Sequence, residues 1–204
     1  MEALQRVTGI AAPMMRINID TDQIIPALFL GGTDAKGYGA HLFHNVRYLT
    51  DGAPNPQFVL NQTPYDRARV LLADRNFGCG SSRERAPKAL REFGFRSIIA
   101  PSFGGIFYNN CFRNGIVPVE LPIEQVRLMA DAVTADSSAE VTVDLQEQIV
   151  VAPGGERFAF HVPGMLRELL LNGLDEIALT LSHAGEIDAF RATDKWRRPW
   201  AYGP

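Results

Sequence analysis

The residues best suited to chemistry in this chain form one run, Asn76-Phe77-Gly78-Cys79-Gly80-Ser81-Ser82-Arg83-Glu84. Gly78 and Gly80 let a backbone turn tightly and come close to a ligand. Ser81 and Glu84 stand at capping-box spacing, which predicts a helix opening at Ser81. The unpaired N–H groups of such a start, with the positive end of the helix dipole, favour an anion. Arg83 adds a planar fork matched to a carboxylate. Pro87 falls inside the proposed helix and would remove a backbone bond there, so the start could lie a residue or two later. A plain glycine-rich turn with a serine cap fits the same pattern, as does phosphate binding without catalysis. A dinucleotide fingerprint fits less well, because the third glycine position holds Arg83, whose bulk would block close helix–strand packing.

A second run, Asn18-Ile19-Asp20-Thr21-Asp22, places two carboxylates two residues apart. Calcium would need further spaced oxygen ligands that the run lacks. The local reading is Asp22 capping a short helix at Gln23, with Pro26 near its end. Cys79, close to a predicted helix start that would lower its pKa, is a candidate nucleophile with no histidine near it in sequence. Cys111, among aromatic residues, reads as a small buried side chain.

The elements that would hold these residues are clearest in the middle of the chain. Val70–Ala73 is a short apolar run suited to a buried strand, and Arg83–Phe93 repeats apolar or small residues at helical intervals before Gly94 as C-cap. Ser97–Ala100 reads as a strand, Phe103–Phe112 as a helix and Ile116–Val119 as a third strand. This alternation predicts βαβ units and a parallel sheet, with the chemical run at the strand edge where ligands bind. Ile123–Val133 reads as a helix, Ala139–Leu145 with Gln148–Ala152 as a hairpin, and Gly164–Asn172 and Leu174–Ala189 as amphipathic helices. Thr50–Pro64 reads as a loop with one short strand. Gly31–Gly39 holds four glycines in nine residues, which predicts a mobile loop. The expectation is one α/β domain over 1–204.

Composition limits what such a domain does. At 204 residues and 46% hydrophobic, the chain can build its own core without staples. A net charge of −3 lacks the basic surplus of a nucleic-acid binder. No apolar stretch approaches the ~18 residues of a membrane span, and no secretory leader is visible, so a cytoplasmic setting is expected. With two cysteines and no Cys-x-x-Cys, a structural zinc site is not expected. An iron–sulfur cluster takes three or four thiolates, more than this chain has.

Several separated segments, in order, resemble the small subunit of 3-isopropylmalate dehydratase, the stand-alone form of the aconitase swivel domain. They are Asn18–Pro26, Asn55–Asn61, Asn76–Glu84, Ala100–Phe103 with Ile106–Asn110, and Asn172–Asp175 with Ile177–Leu181. The resemblance covers almost the whole chain. It implies a three-layer swivel-like domain with a mostly parallel sheet flanked by helices. It also implies a hydro-lyase of leucine biosynthesis that moves a hydroxyl between adjacent carbons of a malate-type dicarboxylic acid through an alkene. By position, Ser81 would be the base, Ser82 and Arg83 would hold a carboxylate, and Gly80 would line the site. Asp20 would be the active-site aspartate, and Lys36, in the Gly31–Gly39 substrate loop, a carboxylate donor. A [4Fe-4S] cluster would sit on a separate large subunit and none on this chain.

The chain departs from the family pattern at three places. Arg85 and Lys88 stand where the family usually has His and Trp, and Ala35-Lys36-Gly37 stands where it commonly has Arg-Thr-Gly. A smaller acid such as methylmalate, or a non-enzymatic anion-binding module on the same fold, are the competing expectations.

The cysteine arithmetic makes one prediction. The chain purified alone should show no iron–sulfur absorbance and no dehydratase activity. A brown, active preparation of this chain by itself would refute it.

Overall fold

The computed structural model describes residues 1–31 and 37–202. The substrate-loop residues Ala35 and Lys36 therefore lie outside the described residues. The chain opens with β1 (Arg6–Met14), a strand the sequence reading left out, followed by the one-turn helices α1 (Thr21–Ile24) and α2 (His44–Arg47). Between α2 and β2 (Val70–Ala73) the backbone forms 3₁₀ turns and an isolated Tyr48–Pro54 bridge, where a short strand had been expected.

The predicted alternation follows. Helix α3 (Arg85–Phe93), β3 (Ser97–Ala100), α4 (Gly105–Arg113), β4 (Val117–Glu120) and α5 (Ile123–Ala135) come in order. Then come β5 (Glu140–Asp144), β6 (Ile149–Val151) and the unforeseen β7 (Arg157–Ala159). Helix α6 (Gly164–Asn172) lies as expected, but Leu174–Ala189 divides into α7 (Glu176–Ser182) and α8 (Ala184–Arg197) at His183.

The seven strands among the described residues form one sheet in the order β4-β3-β2-β1-β5-β6-β7. The pairs from β1 to β4 are parallel, as the alternation requires, and those from β1 through β5 to β7 are antiparallel. The two halves differ in burial for a simple reason. Strands β2 and β3 have helices on both faces and every residue is buried. On one face Leu71, Ala73, Ile98 and Ala100 meet Ala86, Ala89 and Leu90 of α3 and Phe107 and Cys111 of α4. On the other, Val70, Leu72 and Ile99 meet Val126, Met129, Ala130 and Val133 of α5. The β5 hairpin sends Val141 and Val143 into that second core, while Thr142 on its other face pairs with Thr8 at 2.9 Å in solvent. Helices on both faces of the sheet give the three-layer architecture. No helix among the described residues is long and apolar enough to cross a membrane.

One ion pair ties the antiparallel half to β1. Arg6 donates to Asp144 Oδ2 from Nη2 at 2.6 Å and from Nε at 2.9 Å, and the Glu147 N–H reaches Oδ1 at 2.9 Å. Burial pushes the Asp144 pKa up, but these hydrogen bonds and the Arg6 charge outweigh it and hold it below the ordinary carboxylate value. A carboxyl depressed in the folded state stabilises above its unfolded pKa, and that contribution is lost as pH falls through the folded value. The urea midpoint should therefore drop on acidification below about pH 4. Asp144→Asn should be less stable at pH 7 and should show a smaller acid drop. Parallel pH profiles for the two proteins would disprove the linkage.

Candidate functional site

The site lies at the carboxyl edge of the parallel strands, where the segments after β1, β2 and β3 continue side by side. Asp20 forms a parallel bridge with Cys79, and Phe77 forms one with Phe103. Gly78 N donates to Ile19 O at 2.7 Å and Thr21 N to Cys79 O at 2.9 Å. On the other side Phe77 N donates to Ser102 O at 3.1 Å and Gly104 N to Phe77 O at 2.9 Å. The chemical run is thus held along its backbone from both sides. Beneath it Phe77, fully buried, meets the rings of Phe107 and Phe103 edge-on at 5.4 and 6.4 Å.

Two glycines make this approach possible. Gly78 has φ +72°, and a Cβ there would overlap the Phe107 ring. A Cβ on Gly104 would come within 2.5 Å of the Gly78 carbonyl oxygen. Only bare backbone fits where the loop crosses the start of α4.

Helix α3 does not begin at Ser81. It begins at Arg85, its N-cap is Glu84, and no side chain caps it, so the predicted Ser81–Glu84 capping box does not form. Pro87 then falls in the first turn, where its missing N–H costs nothing. Ser81 is left exposed, free of capping, in a 120 Å³ cavity with Gly80, Thr21, Arg83 and the Gly104–Phe107 start of α4. The N–H groups of Gly105, Ile106 and Phe107 have no acceptor among the described residues. The helix end that favours an anion beside Ser81 belongs to α4, not to α3.

The capping role expected of Asp22 falls to Asp20. Asp20, not Asp22, caps α1: its Oδ1 accepts from Gln23 N at 2.7 Å. Asp22 lies within the helix and pairs with Arg83 Nη1 at 2.6 Å. The same nitrogen donates to Ile25 O at 3.2 Å, so the mostly buried guanidinium is held at one corner while its remaining nitrogens have no partner among the described residues. Thr21, buried, donates from Oγ1 to Ser81 O at 2.8 Å and so fixes the loop at the serine. The sequence reading gave Asp22 only a capping role and passed over Thr21 and the start of α4 as parts of the site. The Gly104-Gly105 pair opening a helix after a strand was the one available signal.

Among the described residues no group of three His, Cys, Asp or Glu stands close enough to hold a metal. Cys111 is wholly buried, and burial pushes its thiol well above the ordinary value. Cys79 is half-buried, and its thiol has no hydrogen-bond partner among the described residues. This donor set does not fit an iron–sulfur cluster.

Residues 1–124 match the family model described as the aconitase C-terminal domain, and residues 126–164 match that described as LeuD_N. The 3-isopropylmalate dehydratase small subunit of Cupriavidus necator is 51% identical over 205 residues, covering 99% of each chain. That of Gluconacetobacter diazotrophicus is 50% identical over 200 residues, covering 98% of this chain and 97% of that protein. This chain belongs to the 3-isopropylmalate dehydratase small-subunit family. A crystal structure of 3-isopropylmalate dehydratase (leuD) from Methanocaldococcus jannaschii has the same fold, with TM-score 0.64 and 25% identity over 90% of this chain and 99% of that one. In this family member, the sequence-predicted Gly80, Ser81, Ser82 and Arg83 occur together at one edge with Asp20 beside them; Lys36 is outside the described residues.

The crossing at Gly78 can be tested against its neighbour. Gly78→Ala should lose about 3 kcal/mol, combining ~1–2 for left-handed backbone with ~1–3 for overlap with Phe107. In Gly80→Ala, at φ +90°, the new Cβ would meet Asp20 Cβ at 3.5 Å and Thr21 Oγ1 at 3.7 Å, both ordinary contacts, so just the backbone part should be lost. Equal urea midpoints for the two variants would refute the close-approach account.

Proposed function

We propose that this chain is the small subunit of a two-chain hydro-lyase that interconverts 2-isopropylmalate and 3-isopropylmalate by dehydration and rehydration in leucine biosynthesis. The observation that carries this reading is the Ser81 cavity, with Arg83 and the open N–H groups of α4 on its wall, in a chain about half identical end to end to proteins of that name. The proposal treats residues 1–204 as one swivel-like domain working in the cytoplasm.

The reaction needs a base at the carbon next to a carboxylate, a holder for that carboxylate, and a Lewis acid for the departing hydroxyl. In the proposal Ser81 removes the proton, the C–H pair becomes the new C=C bond, and hydroxide leaves the neighbouring carbon. Rehydration with the opposite orientation completes the isomerisation. A serine hydroxyl is a weak base unless its alkoxide is stabilised, and the α4 N–H groups together with Arg83 provide fixed positive potential there. Ser82 and the unpaired nitrogens of Arg83 hold the substrate carboxylate, with Gly80 leaving room for it. Asp22 orients Arg83, and Asp20 fixes the α1 turn on which Asp22 rides. Lys36 is retained from the resemblance as a second carboxylate donor. The [4Fe-4S] cluster that would supply Lewis acidity belongs, in this reading, to the large subunit, since this chain's thiols do not fit one.

With the large subunit present, Ser81→Ala should lower kcat at least about 10²-fold with a smaller change in KM. Arg83→Lys should mainly raise KM, because an ammonium cannot make the bidentate contact. Asp22→Asn should fall between them, acting through Arg83. Near-wild-type turnover in Ser81→Ala would reject the assigned base, and turnover of methylmalate in preference to isopropylmalate would reject the substrate.

A further inference from the structure

Arg83 is a wall shared by two cavities. The smaller holds Ser81. The larger, of about 520 Å³, is lined by Tyr38, Ser82, Arg83, Glu84, Arg85, Lys88 and Asn114. Its volume lies in the range of pockets that enclose small molecules, roughly 300–1,000 Å³. Arg85 and Lys88, one turn apart on α3, face the same ring: Arg85 Nε donates to Tyr38 Oη at 3.0 Å, and Lys88 Nζ lies 5.1 Å from the ring centre. Tyr38 is buried, so it is a fixed platform for both cations.

What this pocket leaves unpaired defines its ligand. The terminal nitrogens of Arg85, the Lys88 ammonium and the Ser82 hydroxyl have no hydrogen-bond partner among the described residues, and neither cation has a carboxylate partner there. Arg83 is held at one corner by Asp22, and its open nitrogens are assigned to the Ser81 cavity. Glu84 is the one carboxylate on the wall, so Arg85 and Lys88 together face one anion and the donors exceed the acceptors. An isopropyl group gains nothing from such a lining, whereas a carboxylate does.

We propose that this pocket is a capture subsite for a small dicarboxylic acid, in which Arg85 and Lys88 bind one carboxylate before the acid reaches Ser81 across Arg83. The identity of the acid rests on the proposed function; the anion site does not. Two cations beside a narrow cavity raise the local concentration of a dianion, an effect that falls steeply with ionic strength.

The test has two arms. The full chain is titrated with malonate, an unreactive dicarboxylate, by NMR of the arginine Nε–H and lysine side-chain signals. The assembled two-chain enzyme is assayed on 2-isopropylmalate at low and high sodium chloride. Wild type should bind malonate with an affinity that weakens in salt, and Arg85→Gln/Lys88→Gln should weaken binding about 10-fold. In the enzyme the double variant should raise KM by a similar factor, with a smaller change in kcat, and flatten the salt dependence. Lys88→Gln alone, which leaves the Arg85–Tyr38 hydrogen bond in place, should give part of both effects with an unchanged melting temperature. Equal malonate affinity in wild type and double variant would overturn the subsite. So would an unchanged KM with a higher large-subunit concentration needed for half-maximal activity, which would assign the two cations to the partner instead. If wild type fails to turn over 2-isopropylmalate, the functional reading fails, and the malonate arm still decides the pocket.

Discussion

Everything chemical in this chain depends on how closely one loop can lie between two others. Backbone hydrogen bonds to Ile19 and from Thr21 on one side, and to Ser102 and from Gly104 on the other, continue the parallel sheet beyond the ends of its strands. The run from Phe77 to Cys79 is thereby held as firmly as a strand, although it belongs to none. Under the proposed function that rigidity matters, because the site must then hold a weak base and a charged fork at fixed separation, and a loop on an ordinary surface would not do so. The glycines at 78 and 104 are what let the loop reach α4, and the buried rings of Phe77 and Phe107, with the partly buried Phe103, fill the space beneath.

Arg83 shows how this frame manages charge. A guanidinium held wholly by protein carboxylates would have nothing left for substrate, and one held by none would be poorly placed. One corner of Arg83 is occupied by Asp22 and the Ile25 carbonyl, which sets its plane and leaves the other nitrogens open. The Asp22 carboxylate is more than half exposed, so the pair is worth more as an orienting device than as a source of stability. Asp22 is positioned by α1, α1 is capped by Asp20, and Thr21 between them is bonded to the Ser81 carbonyl. Asp20, Thr21 and Asp22 thus join the end of β1 to the Ser81–Arg83 loop.

Much of this was legible in the sequence, and the exceptions have physical causes. The β2–α3–β3–α4–β4–α5 alternation is strongly patterned, because strands covered on both faces are continuously apolar and the helices between them need only one apolar stripe. Strand β1 was missed although it lies between the two halves of the sheet. Its Gly9, Ala11, Ala12 and Pro13 carry little side-chain signal, because small residues suffice where helices and loops press close on a central strand. Strand β7 is three residues long and shows no periodicity. Asp20 and Asp22 could not be told apart locally, since either can cap a helix beginning nearby, and only the position of Arg83 in space separates them. The helix start beside Ser81 was assigned to the next helix in sequence, α3. The one that arrives is α4, brought there by the parallel pairing of β2 with β3, which no local pattern records.

The exposure of Ser81 completes the physical picture. An alkoxide is tolerable only where water is excluded and oriented dipoles replace it. The chain supplies the dipoles, in the open N–H groups of α4 and the Arg83 fork, but Ser81 and Ser82 stand exposed at its surface. Half of the requirement is therefore built into this fold and half is not. Under the proposed function the large subunit must bring the remaining wall as well as the Lewis acid, so that the base becomes competent only when the hydroxyl to be expelled also has somewhere to go. Dividing the site in this way prevents either half from holding a reactive group in a dry cavity by itself. A small subunit alone is then inactive because its serine is still in water, even with every side chain of the proton-transfer half in place.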